Sequence, residues 1–157
     1  MYNLYMKNTL LLYFAYGMNT NREGMAQRCR GALSLGHARL IDHSFRFAIH
    51  ADVVPCLGSY VDGVLWRIDQ YHLNSLDTLE GFPWYYNRGQ FAVEHRDGVV
   101  VAECYFMQPG NDSSLPNQSY FDMVVQGYEQ HGVPTEQVFN SVYDSITFPA
   151  SLAGLDQ

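Results

Sequence analysis

Residues 59–81 read S-Y-V-D-G-V-L-W-R-I-D-Q-Y-H-L-N-S-L-D-T-L-E-G, and the spacing of the apolar residues changes at Asp69. Before Asp69 the segment is rich in valine, isoleucine and aromatic residues, a composition that favours a β-strand. After it, three leucines recur at every third position, close to one face of a helix with Asp69 as its N-cap and Gly81 as its stop. The stretch therefore predicts a strand that leads directly into a helix, and with it an α+β domain.

The segment that precedes this stretch begins with another predicted strand. Residues 9–15, T-L-L-L-Y-F-A, form a short apolar run that is typical of a buried strand. Either Asn19 or Asn21 is a suitable N-cap for a short helix that follows and runs through Met25 to Cys29. The chain is therefore expected to pass from strand to helix within a few residues.

Further strands are predicted on both sides of the quoted stretch. Residues 38–50 alternate in part between apolar and polar, as in a half-buried strand, and Pro55 and Gly58 are expected to interrupt the sheet before it resumes. Beyond the quoted stretch, strands 88–95 and 99–107 are joined by an Asp-Gly pair, which is a strong hairpin signal. These connections favour antiparallel pairing.

The C-terminal part is expected to be helical. Residues 108–118 form a polar loop, after which Ser119 opens a helix with Asp122 at the capping-box position. A second amphipathic helix covers residues 138–146. The order of elements predicts a mostly antiparallel sheet that is able to curl into a barrel, in a single domain spanning residues 1–157.

The composition disfavours several classes of function. Of the 157 residues, 47% are hydrophobic and 15% are aromatic, which favours a packed globule over disorder. The formal net charge of −7 is unfavourable for binding the phosphate backbone of nucleic acids. No apolar run approaches the roughly 20 residues that span a membrane, and the first residues lack the basic leader of a signal peptide. We therefore expect a cytoplasmic protein without nucleic-acid or membrane partners.

Cysteine and histidine residues show no metal-binding pattern. Cys29, Cys56 and Cys104 lack C-x-x-C spacing, and none of the six histidines forms an H-x-H or H-x-x-x-H pair. Reduced, mostly buried thiols and no metal centre are therefore expected. A cysteine nucleophile would need a thiol of low pKa, which the sequence alone does not reveal.

One candidate site lies at the end of the first strand, where residues 13–21 read Y-F-A-Y-G-M-N-T-N. A strand that ends in Tyr-Gly and runs into a capped helix can point several backbone N–H groups in one direction, and so bind a carboxylate or a phosphate. Gly17 would allow a positive φ or the close approach of a ligand. An ordinary tight turn is the alternative interpretation of the same residues.

The second candidate is Glu80, at the predicted C-terminus of the helix and among apolar neighbours. The helix dipole and desolvation both disfavour a negative charge there, so the pKa of this carboxyl should rise towards the range that suits a general base. The alternatives are that Glu80 points to solvent, or that Asp77, one turn earlier, is the active carboxylate. Tyr85 and Tyr86 follow closely, and they belong either to the core or to a pocket wall.

Four segments together resemble the γ-glutamylcyclotransferase family. Y-F-A-Y-G-M-N (13–19) is similar to that family's Y-F-A-Y-G-S-N loop, and L-D-T-L-E-G-F-P-W-Y-Y-N-R (76–88) is similar to its L-D-x-x-E-G-x-p-x-x-Y-x-R stretch. The strand G-S-Y-V-D-G-V-L-W-R-I (58–68) and the segment P-N-Q-S-Y-F-D-M-V-V-Q-G-Y-E-Q-H-G-V-P (116–134) resemble the family in the same order. The resemblance extends over residues 10–146, nearly the whole chain.

The resemblance implies a small mixed β-barrel with flanking helices, and an enzyme that needs no metal or organic cofactor. It would convert a γ-glutamyl amino acid or γ-glutamylamine into 5-oxoproline and a free amine, with Glu80 as general acid and base. The implied partner is this small-molecule substrate, and a homodimer is compatible with the resemblance. The implied substrate-binding residues are Tyr13, Phe14, Ala15, Tyr16, Gly17, Met18, Asn19, Tyr86 and Tyr120.

Two positions depart from the family pattern. Met18 stands where the family usually has serine, and Asn117 replaces a serine in the later segment. The missing hydroxyl at Met18 removes a hydrogen bond to substrate that would contribute about 1 kcal/mol. This departure supports a rival interpretation, a catalytically silent module that binds γ-glutamyl ligands. A cysteine-dependent hydrolase is the third interpretation.

Overall fold

Five strands close into a barrel in the computed structural model, which describes residues 9–147. The strands are β1 (Leu11–Ala15), β2 (Leu33–Ala48), β3 (His50–Ile68), β4 (Tyr86–His95) and β5 (Gly98–Met107). The helices are α1 (Arg22–Arg28), α2 (Gln70–Glu80), α3 (Gln118–Gln130) and α4 (Glu136–Thr147), and a 3₁₀ turn (Met18–Thr20) precedes α1.

The strand order around the barrel is β1-β3-β2-β4-β5. Four of the strand pairs are antiparallel, while β1 and β5 pair in parallel at Tyr13 and Glu103 and close the barrel. The small mixed barrel with flanking helices, which the family resemblance implied, is therefore confirmed. The largest fully buried side chains of its core include Phe14, Leu40, Phe47, Leu65 and Tyr128.

The expected interruption at Pro55 and Gly58 is wrong, because β3 runs through both residues. The register between β3 and β2 shifts beside the pair of His43 and Pro55, and this shift accommodates Pro55 and Gly58 within the strand. Gly58 has a φ of 84°, and its backbone N–H donates to Asp42 Oδ1 at 2.9 Å. Bulges of this kind bend a strand without ending it, so the β2–β3 hairpin remains one long unit.

Helix α2 begins and ends at the residues that the sequence predicted. The Asp69 side chain accepts from the backbone N–H of His72 at 2.9 Å, and the His72 ring accepts from the backbone N–H of Asp69 in return. At the other end Gly81 has a φ of 64°, and the backbone N–H of Phe82 donates to the carbonyl of Asp77. This Schellman-type ending leaves Glu80 as the last residue of the helix.

Side-chain hydrogen bonds show which residues cap α1 and α3. Asn21, the second of the two candidates, caps α1 by accepting from the backbone N–H of Gly24. The N-cap of helix α3 is Asn117, two residues before the predicted Ser119. The Asn117 side chain accepts from the backbone N–H of Tyr120 at 2.8 Å, while Asp122 does not close a capping box and accepts from Gln118.

Helix α3 packs directly against the 3₁₀ turn. A Cβ atom at Gly127 would overlap Thr20 and the backbone of Asn21, so only glycine permits this approach. His131, just beyond α3, binds the carbonyl of Thr20 through Nε2 at 2.9 Å. The turn that follows β1 is thereby held between the barrel and α3.

Candidate active site

A cavity opens where β1 ends, between the 3₁₀ turn, the tip of the β2–β3 hairpin and the C-terminus of α2. Six of its lining residues are tyrosines, and Glu80 is the only acidic residue in the lining. The lining residues are Tyr13, Tyr16, Gly17, Met18, Asn19, His50, Ala51, Leu79, Glu80, Tyr85, Tyr86, Tyr105 and Tyr120. The cavity is therefore lined mainly by aromatic rings that carry hydroxyl groups, and it holds one carboxyl group.

Glu80 reaches this cavity from the last position of α2 and is half-buried. Burial raises the pKa of its carboxyl to about 7, and the Asn19 hydrogen bond and the charge of Arg28 oppose this rise. The side-chain amide of Asn19 donates to Glu80 Oε1 at 2.9 Å. Glu80 is therefore poised to exchange a proton near neutral pH.

Asn19 connects the loop to the carboxyl group through its side chain. The same Nδ2 that donates to Glu80 also donates to the hydroxyl of Tyr13 at 3.0 Å. Its Oδ1 accepts from Arg28 Nη1 at 2.8 Å. The sequence placed Asn19 in the loop, but the contact of its side chain with Glu80 was not predicted.

The tip of the hairpin contributes Ala51, whose backbone joins two of the predicted tyrosines. The hydroxyl of Tyr86 donates to the carbonyl of Ala51 at 2.6 Å, and the backbone N–H of Ala51 donates to the hydroxyl of Tyr120 at 3.0 Å. Burial raises the pKa of both tyrosines above the ordinary value of 10.0. Both hydroxyls therefore stay protonated. The proton of Tyr86 is donated to Ala51, whereas Tyr120 accepts from Ala51 and retains its proton to donate.

Gly17 does not adopt the positive φ that its sequence context suggested, since its φ is −114°. Instead the structure leaves little room for a side chain. A Cβ atom at Gly17 would lie 3.0 Å from the Cβ of Ala51 and 3.1 Å from the hydroxyl oxygen of Tyr120. The close approach is therefore made by the protein itself, which draws the loop against the hairpin tip and α3.

Two of the loop amides are used inside the 3₁₀ turn. The backbone N–H of Thr20 donates to the carbonyl of Gly17, and that of Asn21 donates to the carbonyl of Met18, both at 3.1 Å. The backbone N–H of Met18 donates a hydrogen bond to the hydroxyl of Tyr120. An anion-binding nest would therefore depend on the amides of Gly17 and Asn19.

Phe14 and Ala15 do not line the cavity, although the family resemblance implied that they bind substrate. Phe14 is fully buried and lies on the face of β1 opposite to Tyr13, because alternate side chains of a strand point to opposite faces. Ala15 is buried as well, paired with Val64 of β3. The other seven residues implied by the resemblance do meet at the cavity: Tyr13, Tyr16, Gly17, Met18, Asn19, Tyr86 and Tyr120.

Several lining residues were not predicted as site residues from the sequence. Tyr105 comes from β5 and packs edge-on against Tyr13, with ring centroids 5.9 Å apart. His50 lies at the hairpin tip, and its Nδ1 is 2.8 Å from the hydroxyl of Tyr85. A strand tyrosine and a lone histidine carry no signal that distinguishes them from core or surface residues.

Asp77 lies outside the cavity lining, so the alternative that it is the active carboxylate is not supported. Its two carboxylate oxygens accept from Nε and Nη2 of Arg88 at 2.9 and 3.3 Å. The hydroxyl of Tyr105 donates to Asp77 Oδ1 at 2.6 Å. Both oxygens of Asp77 are therefore engaged by neighbouring side chains.

The three thiols are free and none lines the cavity. Cys29 and Cys104 are buried, and burial raises the pKa of Cys29 to about 11 and that of Cys104 further. Such thiols are poor nucleophiles, which weighs against a cysteine-dependent hydrolase. Residues 9–147 contain no group of three or more His, Cys, Asp or Glu side chains placed to hold a metal ion. In the same range, no helix is both long and apolar enough to cross a membrane.

The chain is similar to proteins of one family in both sequence and fold. Residues 13–122 match the family described as "Gamma-glutamyl cyclotransferase, AIG2-like". The proteins named gamma-glutamylcyclotransferase from Mus musculus and Homo sapiens are each 28% identical to this chain, covering 80% of it and 73% of their own length. A solved structure named "Gamma-glutamyl cyclotransferase" has a TM-score of 0.76 at 27% identity, covering 84% of this chain and 86% of its own.

Proposed function

The chain belongs to the gamma-glutamyl cyclotransferase, AIG2-like family, and from this premise we propose that it converts a γ-glutamyl amino acid or γ-glutamylamine into 5-oxoproline and a free amine. The family membership confirms the resemblance seen in four segments of the sequence. The observation that carries the proposal is the position of Glu80, a carboxyl with a pKa of about 7 in a cavity of otherwise uncharged groups beside the β1 loop.

Glu80 would first act as a general base. The α-ammonium group of a γ-glutamyl substrate must lose a proton before its nitrogen can attack, and a carboxylate with a pKa near 7 is matched to that transfer. The neutral α-nitrogen then attacks the γ-carbonyl carbon and forms the five-membered ring. Glu80 gives this proton to the leaving nitrogen as the γ C–N bond breaks. It then passes the second proton of the ring nitrogen to the released amine, so that the products are a neutral lactam and an ammonium group and the carboxylate is regenerated.

The remaining residues would mainly hold the substrate in a folded conformation. Because the ring closure is intramolecular, most of the acceleration that binding can supply comes from placing the nitrogen against the γ-carbon. The amides of Gly17 and Asn19 are the candidates to bind the α-carboxylate, since those of Thr20 and Asn21 are used within the turn. The hydroxyl of Tyr120, which accepts from Ala51 and retains its own proton to donate, and the loop amides are candidate donors to the γ-carbonyl oxygen, where negative charge develops.

The proposal is tested with a panel of γ-glutamyl compounds that differ in the leaving amine, with detection of 5-oxoproline. Wild type should release 5-oxoproline from at least one compound, and Glu80→Gln should not. Glu94→Gln is the matched control, because Glu94 is an exposed glutamate of β4 that does not line the cavity. No 5-oxoproline from any compound would refute the proposed activity.

A catalytically silent binding module is the second candidate, and Met18 is the observation that favours it. Met18 lines the cavity at a position where the family usually has serine. Such a module would be stabilised against thermal unfolding by γ-glutamyl compounds without releasing 5-oxoproline. Thermal shift and product detection on the same panel therefore separate the two functions.

A further inference from the structure

Arg28 is linked to Glu80 through Asn19, which accepts from the guanidinium and donates to the carboxyl. The side chain of Arg28 does not itself line the cavity. It lies at the end of α1, and its guanidinium extends back over the preceding turn. A Cβ atom at Gly24 would be 3.2 Å from Arg28 Nη1, so the absence of a side chain there leaves room for the guanidinium. No carboxylate of residues 9–147 forms an ion pair with Arg28.

The Arg28 contact determines which way the Asn19 amide faces. An asparagine amide has a donor side and an acceptor side, and a guanidinium can only donate. Since Arg28 Nη1 lies 2.8 Å from one end of the amide, that end must be the carbonyl oxygen. The NH₂ end then faces Glu80 and Tyr13, where it donates to both.

The opposite orientation of Asn19 would have the opposite effect on the carboxyl group. With the amide rotated by half a turn, its oxygen would face Glu80 and would accept a hydrogen bond only from the protonated carboxyl. Arg28 disfavours that state, because its own N–H groups would then face an NH₂. The guanidinium thus favours the orientation that stabilises the ionised form of Glu80.

Met18 contacts the same guanidinium. Its Sδ lies 3.6 Å from Arg28 Nη2, while Nη1 of the same guanidinium is bound to Asn19. The thioether is polarisable and accepts weakly from Nη2, so it covers one edge of the guanidinium. The residue that departs from the family pattern is therefore next to the group that orients Asn19.

We propose that Arg28 is a positioning residue for Glu80, which acts by fixing the amide of Asn19 with its NH₂ group towards the carboxyl, and that Met18 supports the guanidinium in this position. The inference rests on the proposed function only for its catalytic consequence. The orientation itself is a property of the protein without substrate, and it can be measured without turnover.

The tyrosines and the thiol that face Glu80 remain uncharged through the pH range of the test, and His50 takes up a proton only below its ordinary pKa of 6.5. Burial raises the pKa of the tyrosines and the thiol around Glu80, and burial lowers the pKa of His50. Arg28 from α1 remains positively charged. The titratable groups other than Arg28 that face Glu80 are Tyr13 from β1, Tyr16 just after β1, His50 from β3, Tyr85 and Tyr86 before and within β4, Cys104 from β5 and Tyr120 from α3.

The first experiment needs no substitution at Arg28. In ¹⁵N-labelled protein the side-chain NH₂ resonances of Asn19, assigned by their loss in Asn19→Ser, are followed from pH 5 to pH 9. They should shift with a midpoint near 7, together with the ¹³C resonance of the Glu80 carboxyl. If the NH₂ resonances of Asn19 do not respond to the titration of Glu80, the proposed orientation is wrong.

The second experiment measures the Glu80 midpoint by ¹³C NMR in Arg28→Met. Loss of a nearby positive charge and of the fixed donor should move the midpoint upward by about one pH unit. Arg30→Met is the matched control, because its side chain is exposed and only its backbone carbonyl binds another residue, His72. An unchanged midpoint in Arg28→Met, or an equal change in Arg30→Met, would overturn the proposal.

A kinetic measurement separates positioning from a general loss of structure. In Arg28→Met, kcat/KM should fall about tenfold on the acidic side of the profile and less than about threefold at pH 9, because the base is ionised there in both proteins. An equal loss at every pH would overturn the positioning role. Because the two NMR experiments use no substrate, a failure of the proposed function would leave their outcome interpretable.

Discussion

Two carboxylates lie one turn apart on the last turns of α2, and they occupy different environments. Asp77 is bound by Arg88 through both oxygens and by the hydroxyl of Tyr105. Glu80 lines the cavity, where its described hydrogen bond comes from the neutral amide of Asn19. Both are acidic residues of one helix, and burial raises the pKa of Glu80 to about 7.

The difference shows that the partners of a carboxyl group, and not its position along the helix, determine its chemistry. Asp77 is compensated by a guanidinium and is suited to hold β4 and β5 against α2. Glu80 is partly desolvated without a cation in direct contact, which keeps its two protonation states close in free energy. The following predictions test this contrast, beginning with the largest expected effect.

Glu80→Gln should lower kcat/KM for a γ-glutamyl substrate by about 10²- to 10⁴-fold, because a general acid and base contributes about that much. Asp77→Asn should lower it by less than about tenfold, since Asp77 does not line the cavity. Both variants are assayed by 5-oxoproline release with circular dichroism as the check on folding. An Asp77→Asn variant as inactive as Glu80→Gln would remove the distinction between the two carboxylates.

Arg88→Met should destabilise the protein by about 3 kcal/mol, because it leaves partly buried Asp77 and Glu103 without their cation. The free energy of unfolding is measured with urea at pH 7.5. Arg96→Met, at an exposed position in the β4–β5 turn, is the control and should change stability by less than about 0.5 kcal/mol. A loss in Arg88→Met no larger than in the control would contradict the structural role assigned to the Asp77 side.

Glu80→Gln should stabilise the protein at high pH, in contrast to substitution of Asp77. Because burial raises the pKa of Glu80 from 4.5 to about 7, the native state binds more protons than the unfolded state in this window, and stability falls as pH rises through it. The destabilisation caused by the ionised Glu80 carboxylate is complete above pH 7 and absent below pH 4.5.

With a discount for partial exposure, Glu80→Gln should gain about 2 kcal/mol at pH 8.5, and Tm should rise by about 5 °C. The gain should disappear at pH 4. Asp77→Asn should instead lose stability at pH 8.5, since it loses its ion pair with Arg88. Differential scanning calorimetry at both pH values checks the sign, and a Glu80→Gln protein that is less stable than wild type at pH 8.5 would contradict the prediction.

Met18→Ser should have the smallest effect, a change in kcat/KM of less than about threefold at pH 8.5. The side chain of Met18 contacts Arg28, and the main carboxyl contact, from Asn19 to Glu80, remains in the variant. Steady-state kinetics with the best compound of the panel provide the measurement. A gain of tenfold or more would show that the missing hydroxyl, and not the support of Arg28, is the important feature of position 18.

Much of the local structure could be predicted from the sequence. The helix α2, with Asp69 as its cap and Gly81 as its stop, depends on interactions within a few residues, and those are visible in the chain. The pKa of Glu80 is raised in the predicted direction, and the cause is burial in the cavity. The break expected at Pro55 failed because the pairing with β2 absorbs the irregularity, and local patterns do not reveal the partner strand.

What the sequence by itself determined is therefore the set of elements and the loop that carries Tyr16, Gly17 and Asn19 to the end of β1. Only the tertiary structure decided which side chains meet there. The parallel pairing of β1 with β5 brings Tyr105 to the cavity, and the hairpin tip brings Ala51 against Tyr86 and Tyr120. These contacts join residues far apart in the chain, so their geometry depends on barrel closure and strand register, which no single segment encodes.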